Sequence, residues 1–135
     1  MAISPDISVA MCTYNGAEYI VEQLESIAAQ TLLPAEIVVS DDGSTDGTIA
    51  LLKQTWERLA EHSAELRKVT LTVVVNKSSL GVTKNFEQAI SKTTKQYIFL
   101  ADQDDLWFPT RLEVEAAQLA DGAGFVFGNA QLGKE

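Results

Sequence analysis

The chain has 135 residues, which fits one domain with a real hydrophobic core. Apolar residues make up 46% and charged residues 21%, which excludes an intrinsically disordered chain. Ten basic residues against nineteen acidic ones give a formal net charge of −9. That charge argues against a duplex-binding module, because such modules neutralise phosphates with Lys and Arg. An acidic chain can still bind a nucleotide through a divalent cation.

The composition predicts neither a secreted protein nor a membrane span. No apolar run approaches the eighteen or so residues of a span, and residues 1–6 lack the basic and apolar regions of a secretory signal. The single cysteine, Cys12, excludes an internal disulfide framework and a cysteine-based zinc cluster. We therefore expect a reducing, cytoplasmic setting, which includes peripheral attachment at the inner face of the membrane.

Short β-rich runs alternate with amphipathic helical patterns along the chain. The predicted strands are residues 7–12, 37–40, 69–75, 97–101 and 125–127. Four helices lie between them: the first opens with a capping-box-like pair, Asn15 and Glu18, and the last with Pro109 or with Thr110 and Glu113. This order predicts a single α/β domain over residues 1–135, with three layers: a mostly parallel sheet and helices on both faces.

Polar and acidic residues follow four of the predicted strands. They occupy residues 13–16, 41–47, 76–81 and 102–105. In parallel sheets, ligands bind beyond the carboxyl ends of the strands, near the switch in strand order. We therefore expect these segments to form a binding site at one edge of the sheet.

Three carboxylates lie within four residues after the fourth strand, at Asp102, Asp104 and Asp105. They repel one another unless they are solvated or neutralised. A hard cation such as Mg²⁺ or Mn²⁺ would neutralise them and could bridge to phosphates. The alternative is a solvated turn, but the large apolar residues at 106–109 favour a loop that packs down.

The segment 41–48 combines an acidic pair with small polar residues. It fails as an EF-hand loop, because Lys53 stands where the bidentate Glu belongs. A turn and a helix N-cap explain its Ser, Thr and third Asp. Asp41 and Asp42 are less well explained by capping, and a carboxylate there could accept hydrogen bonds from a ribose or a base imide.

Three further side chains near the predicted edge have alternative interpretations. Tyr14 could stack on a base, although a lone aromatic is more often part of the packing. Lys84 could offset diphosphate charge, although surface lysines are usually only solvated. Cys12 fits a small buried hydrophobe better than a nucleophile. Neither glycine-rich phosphate loop occurs in the sequence, which disfavours dinucleotide oxidoreductases and P-loop NTPases.

Together these motifs resemble the family 2 glycosyltransferases, which have a GT-A fold. The resemblance rests on residues 7–15, 30–31, 37–46 and 102–107 followed by Pro109, and it covers nearly the whole chain. The run at 81–87, taken with 102–107, looks most like the bacterial rhamnosyltransferase-type members. The resemblance implies a nucleotide-binding, Rossmann-like half of such an enzyme.

The resemblance also implies site residues and a cofactor. Nucleotide contacts are implied for Cys12, Thr13, Tyr14, Asp41, Asp42, Lys84, Asp102 and Asp104. Asp104 and Asp105 are the implied ligands of Mg²⁺ or Mn²⁺, in a D-x-D region. Cys12 stands where some relatives carry a hydroxyl residue.

The reaction implied by the resemblance is inverting transfer of a sugar from a UDP-, dTDP- or GDP-linked donor. The acceptor would be a hydroxyl of a glycan or a lipid-linked glycan, in bacterial polysaccharide or cell-envelope synthesis. The family supplies its general base in an acceptor-binding half, beyond Glu135 here. We therefore expect a truncated domain that binds the donor but transfers little sugar by itself.

Two other classes of protein remain open on sequence alone. The first is a magnesium-dependent phosphatase or receiver-like domain, but its late lysine would have to be Lys134, which no strand precedes. The second is a non-catalytic nucleotide-binding fragment that keeps the fold without the chemistry.

Overall fold

The structure is a computed structural model that describes residues 2–102 and 106–120. The strands in this part of the chain are β1 (Ala2–Thr13), β2 (Leu32–Asp41), β3 (Thr70–Val75) and β4 (Tyr97–Ala101). The helices are α1 (Ile20–Ala28), α2 (Thr48–Glu61), α3 (Val82–Ser91) and α4 (Arg111–Ala120), with a short 3-10 helix at Leu66–Lys68. None of these helices is long and apolar enough to cross a membrane.

The four strands form one parallel sheet in the order β3-β2-β1-β4. The chain builds outward from β1 to β3 and then returns to place β4 on the other side of β1. The switch in strand order therefore lies beside β1, where a ligand cleft is expected in such sheets. The order also differs from the 2-1-3-4-5 order of receiver-like domains, so a receiver-like domain is not supported.

Alternate residues of β1 face two different layers. Ile7, Val9 and Met11 are fully buried in the larger apolar cluster, which α1 and α2 complete. Ala10 and Cys12 point the other way, into a small cluster with Ala89 of α3. The two clusters confirm the prediction of helices on both faces. Burial of a large apolar side chain contributes about 1.5–3 kcal/mol, so the larger cluster supplies most of the stability.

The observed elements are longer than the predicted ones at several ends. Strand β4 has the predicted bounds, but β1 and β2 begin five residues earlier than predicted. Helix α1 begins at Ile20, so the predicted cap at Asn15 is wrong. Asn15 instead has a φ of 50° and accepts a 2.8 Å hydrogen bond from the backbone N–H of Thr45. The predicted strand 125–127 lies outside the described residues.

Gln30 connects the end of α1 to the segment that follows β4. Its Nε2 donates a 2.6 Å hydrogen bond to the carbonyl of Phe108, and its Oε1 accepts one of 3.0 Å from the N–H of Leu112. Thr31 donates its N–H to the carbonyl of Pro109, at 2.8 Å, and its hydroxyl to Glu113. The predicted capping residue Glu113 therefore binds Thr31. These contacts fix where the segment after β4 rejoins the core.

Candidate functional site

A cleft of about 450 Å³ opens at the carboxyl ends of the strands. The described residues that line it are Cys12, Thr13, Tyr14, Asp42, Ser79, Gly81, Val82, Asn85, Phe86 and Asp102. Five of them were predicted as site residues from the sequence. The cleft lies beside the switch in strand order, as the topology predicts.

The end of β1 carries Thr13 and Tyr14. Thr13 is buried, and its hydroxyl donates a 2.6 Å hydrogen bond to Oδ1 of Asp41. Its carbonyl accepts a 2.9 Å hydrogen bond from the N–H of Asp42, which ties the ends of β1 and β2 together. The Tyr14 side chain is half exposed at the mouth of the cleft. Its ring therefore lies where a ligand would enter the cleft.

Hydrogen bonds join the loop after β1, which begins with Tyr14, to the loop after β2. The N–H of Asn15 donates a 2.8 Å hydrogen bond to the hydroxyl of Ser44, and the Asn15 side chain accepts from Thr45 in return. Asp46 accepts a 3.1 Å hydrogen bond from the N–H of Ala17. A residue with a φ of 50° favours Asn or Gly. These hydrogen bonds between the two loops therefore fix the direction in which Tyr14 leaves the end of β1.

Asp41 shapes the loop after β2. Its carboxylate is fully buried and accepts hydrogen bonds from the hydroxyl of Thr13 and from both the N–H and the hydroxyl of Ser44. The N–H of Gly43, at a φ of 92°, also donates to it. Asp41 is not among the described residues that line the cleft. The structure thus separates it from its neighbour Asp42.

Asp42 joins the end of β2 to the loop after β3. Its carboxylate accepts hydrogen bonds from the N–H of Leu80 at 2.7 Å, the N–H of Gly81 at 3.0 Å and Nδ2 of Asn76 at 3.0 Å. Burial would raise the pKa of Asp42, but these three donors outweigh it and hold the pKa below its ordinary value. Asp42 is therefore ionised at neutral pH.

The first turns of α3 form the opposite wall of the cleft. Val82, Asn85 and Phe86 line it, and Val82 is 74% exposed. Lys84 is exposed, and it is not among the described lining residues. Residues three and four apart share a helix face, so the spacing of 82, 85 and 86 already excluded Lys84 from that wall. Lys84 was predicted to contact the nucleotide from this helix, whereas the lining residues Val82, Asn85 and Phe86 were not predicted.

The cleft has a negative electrostatic character. Burial raises the pKa of the Cys12 thiol to about 12, with the negative charges of Asp102 and Asp42 adding to the effect. The lining set contains these two carboxylates and, among the described residues, neither Lys nor Arg. The negative charges would repel a phosphate-bearing ligand, and a bound cation would offset that repulsion.

Asp102 is the described residue of the predicted metal-binding segment 102–105 that lines the cleft. Its backbone carbonyl accepts a hydrogen bond from Nε2 of Gln23, a buried side chain of α1. Within residues 2–102 and 106–120, no group of three or more metal-binding side chains forms. Asp104 and Asp105 lie outside the described residues. The oxygen-only donors at this edge fit a hard divalent cation, and the thiol of Cys12 stays protonated.

A family model for glycosyl transferase family 2 matches residues 8–134. The chain therefore belongs to glycosyl transferase family 2, and the predicted resemblance and GT-A-type α/β fold are confirmed.

The chain is similar to curated relatives and to solved structures. It is 35% identical over 119 residues to the putative glycosyltransferase EpsE of Bacillus subtilis, covering 88% of this chain and 40% of EpsE. It is 35% identical over 106 residues to the dTDP-rhamnosyl transferase RfbG of Shigella flexneri, covering 76% of this chain and 34% of RfbG. The chain thus spans well under half the length of these relatives.

Two solved structures share the fold, and each is 28% identical in sequence to this chain. Residues 1–349 of S. aureus TarS in complex with UDP match with a TM-score of 0.71 and 28% identity, over 86% of this chain and 32% of that one. A mannosyltransferase from Pyrobaculum calidifontis in complex with GDP-Man and Mn²⁺ matches with a TM-score of 0.69 and 28% identity, over 92% and 36%.

Proposed function

We propose that the chain is the donor-binding part of an enzyme that transfers a sugar from a nucleoside-diphosphate sugar to an acceptor hydroxyl. The observation that carries this proposal is the cleft that brings Tyr14, Asp42 and Asp102 together at the carboxyl edge of the sheet. The relatives add support, because TarS binds UDP and the mannosyltransferase binds GDP-Man with Mn²⁺.

The base of the nucleotide binds between the end of β1 and Asp42 in this proposal. Tyr14 stacks on the base, which is typically worth about 1–3 kcal/mol. The Asp42 carboxylate offers about four lone-pair positions and accepts three hydrogen bonds from the protein, so an acceptor position remains for the ligand. We place the ring N–H of the base at this acceptor position; uracil, thymine and guanine carry such an N–H at the pairing edge, and cytosine and adenine do not. Backbone groups of Cys12 and Thr13 complete the base site.

Asp41 has an indirect part in this proposal. Its carboxylate orders Thr13 and the loop at Ser44 beneath the base site. Lys84 stands on the exposed side of α3, where it adds positive charge near the cleft without lining it.

The diphosphate lies at the acidic end of the cleft, next to Asp102. We propose Asp104 and Asp105 as metal ligands, with Asp102 and Asp104 also close to the nucleotide. A bound Mg²⁺ or Mn²⁺ supplies charge stabilisation for the departing nucleoside diphosphate. The chain's own residues hold the nucleotide so that the sugar projects out of the cleft, away from the base site.

Transfer to the acceptor proceeds with inversion in this proposal. A carboxylate base must then reach the acceptor hydroxyl on the face opposite the leaving group. We place that base and the acceptor site in the part of the relatives that this chain does not span. We propose that the whole enzyme acts in bacterial polysaccharide or cell-envelope synthesis. The 135-residue chain is accordingly expected to bind the donor and to transfer little sugar.

The base site is tested by equilibrium binding of UDP, dTDP and GDP, with CDP and ADP as comparators that lack the imide N–H. Tyr14→Ala should weaken the binding of the preferred nucleotide by about 5- to 150-fold, as loss of base stacking predicts. Tyr19→Ala is the matched control, because Tyr19 is 41% exposed at the start of α1 and is not among the described lining residues. Equal loss in both variants, or equal binding of all five nucleotides, contradicts the proposed base site.

A further inference from the structure

Gln88 of α3 makes two hydrogen bonds under the wall of the cleft. Its Nε2 donates to Oδ1 of Asn76 at 2.7 Å and to the hydroxyl oxygen of Ser40 at 2.8 Å. Ser40 is fully buried in β2, and Asn76 directly follows β3. Gln88 thus connects α3 to the two strands whose ends carry the cleft, although it is not among the described lining residues.

The bond from Gln88 determines which end of the Asn76 amide faces Asp42. Because Oδ1 of Asn76 accepts from Gln88, its Nδ2 points to the carboxylate of Asp42 at 3.0 Å and to Oδ1 of Asn85 at 3.1 Å. A flipped amide would place an oxygen against an ionised carboxylate, which is repulsive. Gln88 therefore selects the one amide orientation that stabilises the ionised Asp42.

A second branch reaches the cleft through Ser40. The Ser40 hydroxyl donates a 2.6 Å hydrogen bond to Oδ1 of Asn85, and Nδ2 of Asn85 donates one of 2.9 Å to the Ser40 carbonyl. Asn85 is buried and lines the cleft. Ser40 and Asn85 are buried, Asn76 and Gln88 are half-buried, and the hydrogen bonds among the four hold their side chains in fixed orientations.

We propose that Gln88 is a positioning residue, which acts through Asn76 to hold the Asp42 carboxylate in the orientation that discriminates between bases. This inference rests on the proposed function, because it takes Asp42 as the group that meets the base. Gln88 itself contacts neither the base nor the sugar.

The first test measures base discrimination in the full 135-residue chain. The tightest-binding of UDP, dTDP and GDP is compared with CDP or ADP, which lack the imide N–H. Gln88→Met keeps much of the side-chain shape but removes both donors, and it should reduce the affinity ratio by about three- to tenfold. Gln54→Met is the matched control, because Gln54 is exposed on α2 on the opposite face of the sheet, and it should leave the ratio unchanged.

The double variant tests whether Gln88 acts through Asn76. Asn76→Ala should reduce the ratio at least as much, and adding Gln88→Met to it should cause no further loss. If Gln88 has a purely structural role, the losses of the two single variants add in the double variant, and the affinities for all nucleotides fall equally. Additive losses, or an equal fall for all nucleotides, would each overturn the inference. Thermal unfolding of each variant is measured first, and Gln88→Ala replaces Gln88→Met should the latter not fold.

The second test needs no nucleotide. Carbon NMR titration of the Asp42 carboxyl should show a higher pKa in Gln88→Met and in Asn76→Ala than in the wild type, because a donor to the charged form is loosened or lost. The other titratable side chains that line the described part of the cleft are Cys12, Tyr14 and Asp102. Neither variant replaces any of them. An unaltered Asp42 pKa in a chain that binds nucleotide overturns the inference alone. A wild-type chain that binds none of the three nucleotides overturns the proposed function and the inference with it.

Discussion

The carboxylate of Asp42 lies 2.7 Å from the backbone nitrogen of Leu80, so the loop after β3 closes onto the end of β2. The same carboxylate lines the cleft, whereas its neighbour Asp41 is buried below the loop. Two adjacent carboxylates therefore have different surroundings and, we infer, different duties.

Asparagine variants of the two aspartates separate those duties. Each replaces an acceptor that faces several donors, so Asp41→Asn and Asp42→Asn should both lower the free energy of unfolding, by about 1–3 kcal/mol. Only Asp42→Asn should remove the preference for imide bases, because only Asp42 faces the cleft. Urea unfolding and nucleotide titration check the two effects. Loss of base preference in Asp41→Asn alone would contradict the assignment.

Glu36 should make the stability of the fold depend on acid pH. It is buried in β2. Burial would raise its pKa, but hydrogen bonds from Ser8 and from the N–H and hydroxyl of Thr94 outweigh that and lower it. A carboxylate with a lowered folded-state pKa stabilises the fold above its unfolded pKa, near 4.3, and this stability is lost as the pH falls through the folded value.

The variant Glu36→Gln measures that contribution. It should unfold more easily than the wild type at pH 7, by about 1–3 kcal/mol in urea, and the difference should shrink as the pH falls to 3. The control is Glu25→Gln, because Glu25 forms an exposed ion pair with Arg58 that is worth little. A difference between wild type and Glu36→Gln that is independent of pH would contradict this account.

The left-handed backbone at Asn15 predicts an unusual order of variant stabilities. Asn15→Gly keeps the φ of 50° available and loses the hydrogen bonds that the Asn15 side chain accepts from the N–H and the hydroxyl of Thr45. Asn15→Ala loses the same bonds and adds backbone strain, so it should be the less stable variant by about 1 kcal/mol. Thermal unfolding of the pair checks this order. A more stable alanine variant would show that the hydrogen bonds between the two loops do not need the left-handed conformation at Asn15.

Cys12 should be chemically inert in the folded chain. With its pKa raised to about 12, roughly one thiol in ten thousand is ionised at pH 8, and only the thiolate reacts readily. Iodoacetamide at pH 8 should therefore label the urea-unfolded chain quickly and the folded chain hardly at all, as followed by mass spectrometry. Fast labelling of the folded chain would contradict the buried, negative surroundings of the thiol.

Much of the fold could be predicted from the sequence because strand and helix periods are local signals. Alternation between buried and turn-forming segments located β4 with the bounds that the structure shows. The first residues of β1 and β2 could not be located, since these ends lengthen by pairing with each other, from Ala2 with Leu32 onward. Pairing between strands distant in sequence is not encoded in local pattern.

The location of the candidate cleft was predictable from the sequence, and the surroundings of its residues were less so. The carboxyl-edge rule brought Tyr14, Asp42 and Asp102 together correctly. The same rule could not separate Asp41 from Asp42, because their difference arises from donors in other loops. Asn15 looked like a helix cap, yet the hydrogen bond to Thr45 from the neighbouring loop decided its conformation.

The most direct test of the central claim is calorimetric titration of UDP, dTDP and GDP into the chain, with and without Mn²⁺. Asp104→Ala/Asp105→Ala is the control variant for the metal, and the nucleoside of the best ligand is the control for the diphosphate. We expect that one nucleoside diphosphate binds only with Mn²⁺ and that the double variant loses this binding, while the nucleoside binds weakly and independently of metal. Binding of the diphosphate that is equally tight without metal, or unaffected by the double substitution, would contradict a metal-bridged donor site at the acidic edge.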